Sequence, residues 1–222
     1  MICIPIMAKN TDEAVRMTIR ATGLADIIEF RLDVMESFDI ERLIKTTIRP
    51  VIITYRSKKE GGEGTVDYES ITQVLLEAIS LGAHYVDMEY SMPPQLRDGI
   101  LANRGDSRII VSTHLIYGTP SAGVLEDTLK RLAATGANIV KIVTMAGTQE
   151  DNLRILDLIS SARDLGIRVI AFCMGPLGRL SRIASPLLGG YLTFASLEEG
   201  LESSDGQIPA PEMKRILEML SR

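Results

Sequence analysis

Lys141 stands in the middle of Ala-Asn-Ile-Val-Lys-Ile-Val-Thr-Met-Ala, with β-branched residues on both sides. A lysine so enclosed cannot easily extend its ammonium to water. Desolvation favours the neutral amine, the nucleophile that attacks a ketone or aldehyde to form an imine. The competing reading is an edge-strand lysine that discourages aggregation. His114 closes the apolar run Ile-Ile-Val-Ser-Thr-His, where general acid–base chemistry competes with a plain structural role at the rim of a core. Glu29, Arg31 and Asp33 alternate with Phe30 and Leu32, a period of two that puts three charges on one face of a strand. Asp87 and Glu89 flank Met88 in the same way, and Thr54 and Arg56 lie two residues apart. By itself, the segment around Arg31 reads as a half-solvated antiparallel strand. In a buried strand such charges must pair with one another or hold a polar ligand, because an unpaired buried ion is costly.

The elements that carry these residues decide between the readings. Short runs rich in Ile and Val at residues 2–7, 27–32, 51–55, 85–88, 109–114, 139–143, 168–173 and 191–194 alternate with longer stretches of helical period, such as 11–22, 67–81, 122–134 and 148–165. Thr11 ahead of Asp12 and Glu13 is a start signal, and Gly23, Gly82, Gly136 and Gly166 are stop signals. Eight strand-then-helix units imply parallel strands closing into a single-domain (β/α)8 barrel over residues 1–222. An open doubly wound sheet is disfavoured because no G-x-G-x-x-G follows the first run, which continues Ala-Lys-Asn-Thr. A barrel has no edge strand, so Lys141 is expected to point inward. Its catalytic end is the C-terminal end of the strands, where His114 and the charged residues fall. His84 precedes its strand, at the opposite end, and is given no catalytic role. Ser57-Lys-Lys-Glu-Gly-Gly-Glu-Gly64 reads as a solvated, mobile loop, Ser203-Ser-Asp-Gly-Gln207 as a turn, and Arg182 as a cation near a helix start, where anions bind.

Composition removes several function classes. The 222 residues carry 24 Lys and Arg against 29 Asp and Glu, a net charge of −5, the wrong sign for a partner of nucleic acid. No apolar run is long enough for a bilayer, and the first residues lack the basic start of a leader, so a cytoplasmic protein without a membrane partner is expected. The two cysteines, Cys3 and Cys173, exclude a disulfide framework, and two histidines without paired spacing make a zinc site unexpected.

In order along the chain, Glu29-Phe-Arg31-Leu-Asp33, Thr54-Tyr-Arg56-Ser-Lys-Lys-Glu60-Gly-Gly, His114 with Thr119-Pro120, Val140-Lys141-Ile142, Met174 through Gly178 to Ser181-Arg182, and Ser203-Ser-Asp-Gly-Gln207 resemble the type I 3-dehydroquinate dehydratases. The resemblance implies a Schiff-base-forming barrel enzyme acting on 3-dehydroquinate, with no metal and no organic cofactor. It assigns the imine to Lys141, proton transfers to His114 and a place beside that histidine to Glu60. Substrate binding falls to Glu29, Arg31, Arg56, Arg182, Ser203 and Gln207. A homodimer is expected by analogy, without an assigned interface. Two departures stand out. His114-Leu115-Ile116 replaces the family's usual His-Asp-Phe, and the chain starts almost directly at its first strand, so side chains alone are expected to plug the barrel floor in place of an N-terminal hairpin. The rival enzyme is a class I lysine-imine aldolase on a phosphosugar, with Gly189-Gly190 as its phosphate site. The rival outside catalysis is a barrel retained for binding or scaffolding.

Overall fold

The computed structural model describes residues 1–221. Among them, strands β1 (Ile2–Ile6), β2 (Ile27–Arg31), β3 (Val51–Thr54), β4 (Tyr85–Glu89), β5 (Arg108–Leu115), β6 (Ile139–Met145), β7 (Arg168–Met174) and β8 (Thr193–Phe194) alternate with eight helices. These are α1 (Thr11–Ala21), α2 (Ile40–Lys45), α3 (Tyr68–Ser80), α4 (Pro94–Ala102), α5 (Ala122–Ala133), α6 (Glu150–Asp164), α7 (Arg179–Leu188) and α8 (Ala210–Leu220). Neighbouring strands pair in parallel in the order β7-β6-β5-β4-β3-β2-β1-β8. At the remaining seam the Tyr191 N–H donates to the Val169 carbonyl at 2.7 Å, bringing the two ends of the sheet together as a (β/α)8 barrel.

Because helices cover the outside and side chains fill the inside, the strands are buried on both faces and read as apolar runs. Every residue of β1 to β4 is buried, charged ones included. Parity then sorts the side chains. Ile28, Phe30, Val86, Met88, Val111, Val140 and Ile142 pack outward beneath the helices. Ile27, Ile52, Tyr85, Ile110, Ile139 and Ile170 form an apolar layer inside the barrel. Two residues further along the same faces come Glu29, Thr54, Asp87, Ser112 and Lys141, so a polar layer lies directly above the apolar one.

The lower end is closed by side chains. The Tyr85 and Tyr191 hydroxyls meet at 2.7 Å, the Arg108 guanidinium donates to both, and Arg168 stacks over the Tyr191 ring. The predicted last strand, 191–194, is shorter here, Thr193–Phe194, with Tyr191 just ahead of it in the floor. His84 lies at this end too, accepting the Val51 N–H at 3.3 Å through Nδ1.

Local signals account for most helix ends. Asn10, rather than the predicted Thr11, caps α1 by accepting the Glu13 N–H at 3.0 Å, while Thr11 Oγ1 accepts the Asp39 N–H at the neighbouring helix. Asp39 and Asp67 cap α2 and α3 likewise. Of the four predicted glycine stops, Gly82, Gly136 and Gly166 take positive φ and Gly23 does not.

Candidate active site

Lys141 is buried on β6 and points inward, as the barrel requires. Its Nζ lies 2.9 Å from Asp87 Oδ2 and 3.8 Å from Glu29 Oε1, over the Phe194 ring at 4.5 Å from the centroid. Asp87 is shared, since its other oxygen pairs with Arg56 Nη2 at 2.8 Å and accepts the Ser112 hydroxyl. Burial alone would raise the Asp87 carboxyl, but Arg56, then Lys141 and His114, hold it far below the usual carboxylate range. Burial disfavours the Arg56 charge, yet Asp87, Glu60 and Glu89 more than offset it and keep that guanidinium protonated. Glu29 accepts the Thr54 hydroxyl at 2.8 Å. Arg31 makes a two-pronged contact with Asp33 at 2.8 and 2.7 Å. The charges on the strands are thus mutually paired, the condition that burial sets.

The loop after β3 departs from its predicted solvated state. Lys58, Lys59 and Glu63 are exposed, but Glu60 is buried. The chain folds back over its own start: the Gly64 N–H donates to the Arg56 carbonyl at 3.0 Å and the Glu63 N–H donates to Asp33. A Cβ at Gly62 or Gly64 would sit 2.3 or 2.5 Å from that carbonyl oxygen, so only glycine allows the return. The turn delivers Glu60 to His114. Glu60 Oε2 accepts the His114 backbone N–H at 3.0 Å and lies 3.1 Å from Nδ1, while Oε1 accepts the Ser91 hydroxyl at 2.7 Å. Burial raises the Glu60 carboxyl to about 7, with Glu89 adding to the rise and Arg56 opposing it. Burial also pushes the His114 imidazole well below its ordinary value, reinforced by the cations of Arg56 and Lys141. At neutral pH the histidine is therefore an uncharged acid–base group beside a carboxyl poised to exchange its proton.

Across the cavity, Arg182 is fully buried in α7, deeper than the helix-start position suggested. It stacks on Phe172 at 4.6 Å, and its Nη2 donates to Ser204 Oγ and the Asp205 carbonyl. Its Nε and Nη1 find no hydrogen-bond partner among the described residues. Burial lowers this guanidinium to about 10. A buried cation with two unused donors has the chemistry to pair with an anion. The last loop lies close by, fixed where the Gly175 N–H donates to the Asp205 carbonyl and where Gly206, at φ 81, touches the Gly175 backbone. Ser203 and Gln207 are tied to each other through two 2.9 Å bonds.

One cavity at the C-terminal ends of the strands is lined by all the predicted site residues: Glu29, Arg31, Arg56, Glu60, His114, Lys141, Arg182, Ser203 and Gln207. Asp33, Asp87 and Glu89 serve behind it. Sequence reasoning missed its apolar wall of Ile116, Val143, Phe172 and Phe194, as well as Ser204 and Ser91. Strand parity could have found Val143 and Phe172; Ser91 carried no local signal. Thr119 ties strand ends instead, its hydroxyl lying 2.8 Å from both Thr144 Oγ1 and the Met145 carbonyl. Gly189 and Gly190 follow α7 and precede β8, so they fall at the opposite end of the barrel, and the Gly190 N–H is spent on Ser185. The phosphate site of the aldolase reading is absent from that position.

Fold and cavity together define a (β/α)8-barrel enzyme with an inward lysine and a carboxylate-bound histidine at the catalytic end. The chain belongs to the type I 3-dehydroquinase family, whose model matches residues 2–222. A 3-dehydroquinate dehydratase of Methanococcus maripaludis is 34% identical over 99% of this chain and 100% of its own length. The chloroplastic bifunctional 3-dehydroquinate dehydratase/shikimate dehydrogenase of Arabidopsis thaliana is 36% identical over 99% of this chain, which spans only 36% of that longer protein. Among solved structures, a type I 3-dehydroquinate dehydratase from Clostridium difficile with covalently modified comenic acid superposes with a TM-score of 0.90 at 26% identity, covering 99% of this chain and 91% of the other. Among the described residues no helix is long and apolar enough to cross a membrane.

Proposed function

We propose that this protein removes water from 3-dehydroquinate to give 3-dehydroshikimate, a step of the shikimate pathway, through an imine on Lys141. The amine of Lys141, once deprotonated, attacks the C3 ketone, and loss of water gives an iminium. That cation makes the C2 protons acidic by accepting the electrons their removal releases. Nδ1 of His114 is engaged by Glu60, which leaves Nε2 for the substrate. His114 takes a C2 proton and returns it to the C1 hydroxyl as that group departs as water; hydrolysis of the new imine frees the product and the amine. Arg182 receives the substrate carboxylate, and Glu29, Arg31, Arg56, Ser203 and Gln207 hold the hydroxyls and the remaining polar edge. The chain's own lysine provides the electron sink that another enzyme takes from a cofactor. The acidic, cysteine-poor composition fits a cytoplasmic enzyme.

The observation that carries this reading is the shared cavity of Lys141, His114 and a buried Arg182 with free donors, in a chain of this family. The direct test follows the absorbance of the conjugated product when 3-dehydroquinate is supplied, with aldol cleavage of phosphosugars as the parallel assay. Product from 3-dehydroquinate alone is expected. Cleavage of phosphosugars without dehydration would replace this reading with the aldolase.

A further inference from the structure

Glu60 has one oxygen committed to His114 and the other to Ser91, the only side-chain donor to Oε1 among the described residues. Ser91 lies two residues past the end of β4 and is itself steadied by Tyr68, the first residue of α3, whose hydroxyl is 2.9 Å away. The Tyr68 hydroxyl also lies 3.1 Å from Glu89 Oε2, but its single proton goes to Ser91 Oγ while Ser91 donates to Glu60, and Glu89 already accepts from the Ser57 N–H and Arg56 through Oε1. Glu89 therefore has donors enough, and the Ser91 hydroxyl, 3.4 Å from Glu89 but 2.7 Å from Glu60, is directed to Glu60 Oε1, while Oε2 already accepts the His114 N–H and faces Arg56 at 3.5 Å.

We propose that Ser91, held by Tyr68, is a positioning residue for the reaction: its hydroxyl orients Glu60 as the acceptor for His114 Nδ1–H and thereby leaves Nε2 as the basic nitrogen. This rests on the reading of His114 as the base. The physical step is a choice between two arrangements. Ionised, Glu60 can only accept, so the proton of a neutral imidazole stays on Nδ1. Protonated, Glu60 donates to Nδ1 instead, the ring proton moves to Nε2, and the nitrogen facing the substrate can no longer remove a proton. The balance is narrow because Glu60 is buried and faces Glu89 and Asp87 from β4, opposed by Arg56 from the end of β3; His114, on β5, faces Arg56, Lys141 on β6, Asp87 and Arg31 on β2. A hydroxyl donating to the charged form tips it towards the carboxylate.

The experiment compares wild type, Ser91→Ala and Ser91→Thr by the pH dependence of kcat and by ring 15N shifts of His114 in the ligand-free protein, with His84→Asn to assign the signals. A charge-assisted hydrogen bond lost from Glu60 shifts its ionisation up by about one pH unit or more. The acid limb of kcat should move up by that amount in Ser91→Ala, with a roughly tenfold loss below the limb, recovery at high pH and KM little changed. Ser91→Thr, which keeps the hydroxyl, should restore the wild-type limb. In the ligand-free protein near pH 7.5, between the two ionisations, the ring proton should reside mainly on Nδ1 in wild type and mainly on Nε2 in Ser91→Ala. An unmoved limb and an unchanged tautomer in Ser91→Ala, or a Ser91→Thr that behaves as the alanine variant does, would overturn the proposal. The tautomer is read without substrate, so absence of dehydration by the wild type would remove the function proposed above and leave the Ser91 result standing on its own.

Discussion

Arg182→Met should make the protein more stable and a poorer binder of substrate at the same time. The arginine is fully buried against Phe172, and its Nε and Nη1 lack partners among the described residues. A guanidinium lowered to about 10 carries a preference against charge of about 3 kcal/mol in the free protein. Since the depressed ionisation lies near 10, that cost is fully present at neutral pH and fades only as the group deprotonates above it. Methionine fills a similar volume without charge, giving up the bonds to Ser204 and Asp205, worth about 1 kcal/mol each. The net gain is about 1–2 kcal/mol, a rise in Tm of about 2–8 °C for a chain of this size. Binding moves the other way. Losing two charge-assisted hydrogen bonds to a carboxylate costs at least about 3 kcal/mol, so KM should rise by about 10². Arg182→Lys should also raise KM, because an ammonium cannot reproduce the fork. Thermal unfolding and steady-state dehydration kinetics read both effects. A methionine variant that melts earlier and keeps its KM would refute the reasoning, making Arg182 a structural cation.

The remaining predictions concern the other side of the cavity. His114→Ala should lose at least about 10² in kcat while still forming some imine, so a covalent adduct builds up that intact-mass spectrometry detects; full turnover would remove His114 from the chemistry. Asp87→Asn leaves Arg56 and Lys141 facing each other without their shared carboxylate and should destabilise the fold by about 3–5 kcal/mol in denaturant titration at pH 7. The wild-type contribution of Asp87 is present above its unfolded ionisation near 4 and is lost as pH falls towards its depressed folded one. Glu60 has the opposite sign: its raised ionisation favours the fold at acid pH, an effect lost as pH rises through about 7, while kcat should rise through the same range as the carboxylate forms. Unchanged kcat between pH 6 and 8 would contradict that assignment.

Strand parity made much of this site legible in advance. Glu29, Arg31, Asp87 and Lys141 are charged residues at inward positions of buried parallel strands, and that conflict between charge and burial is visible without coordinates. Glu60 had no such signal of its own. Read locally, its loop is glycine-rich and charged; its burial arises from the return of Gly62 and Gly64 over the Arg56 carbonyl and from partners 31 and 54 positions away, Ser91 and His114. Arg182 was legible as a cation but its depth was not, because the Ser204 hydroxyl and Phe172 ring that enclose it come from separate loops and strands. The floor carried no local signal either: only the fold brought Tyr85, Arg108 and Tyr191 together.

The covalent role of Lys141 is tested most directly by trapping the imine. Borohydride added to the enzyme with 3-dehydroquinate or its product should reduce the imine, inactivate the protein and leave the ligand's mass on the peptide containing Lys141, with Lys141→Ala abolishing both labelling and turnover. Labelling at another lysine such as Lys130, or dehydration that persists in Lys141→Ala, would contradict it.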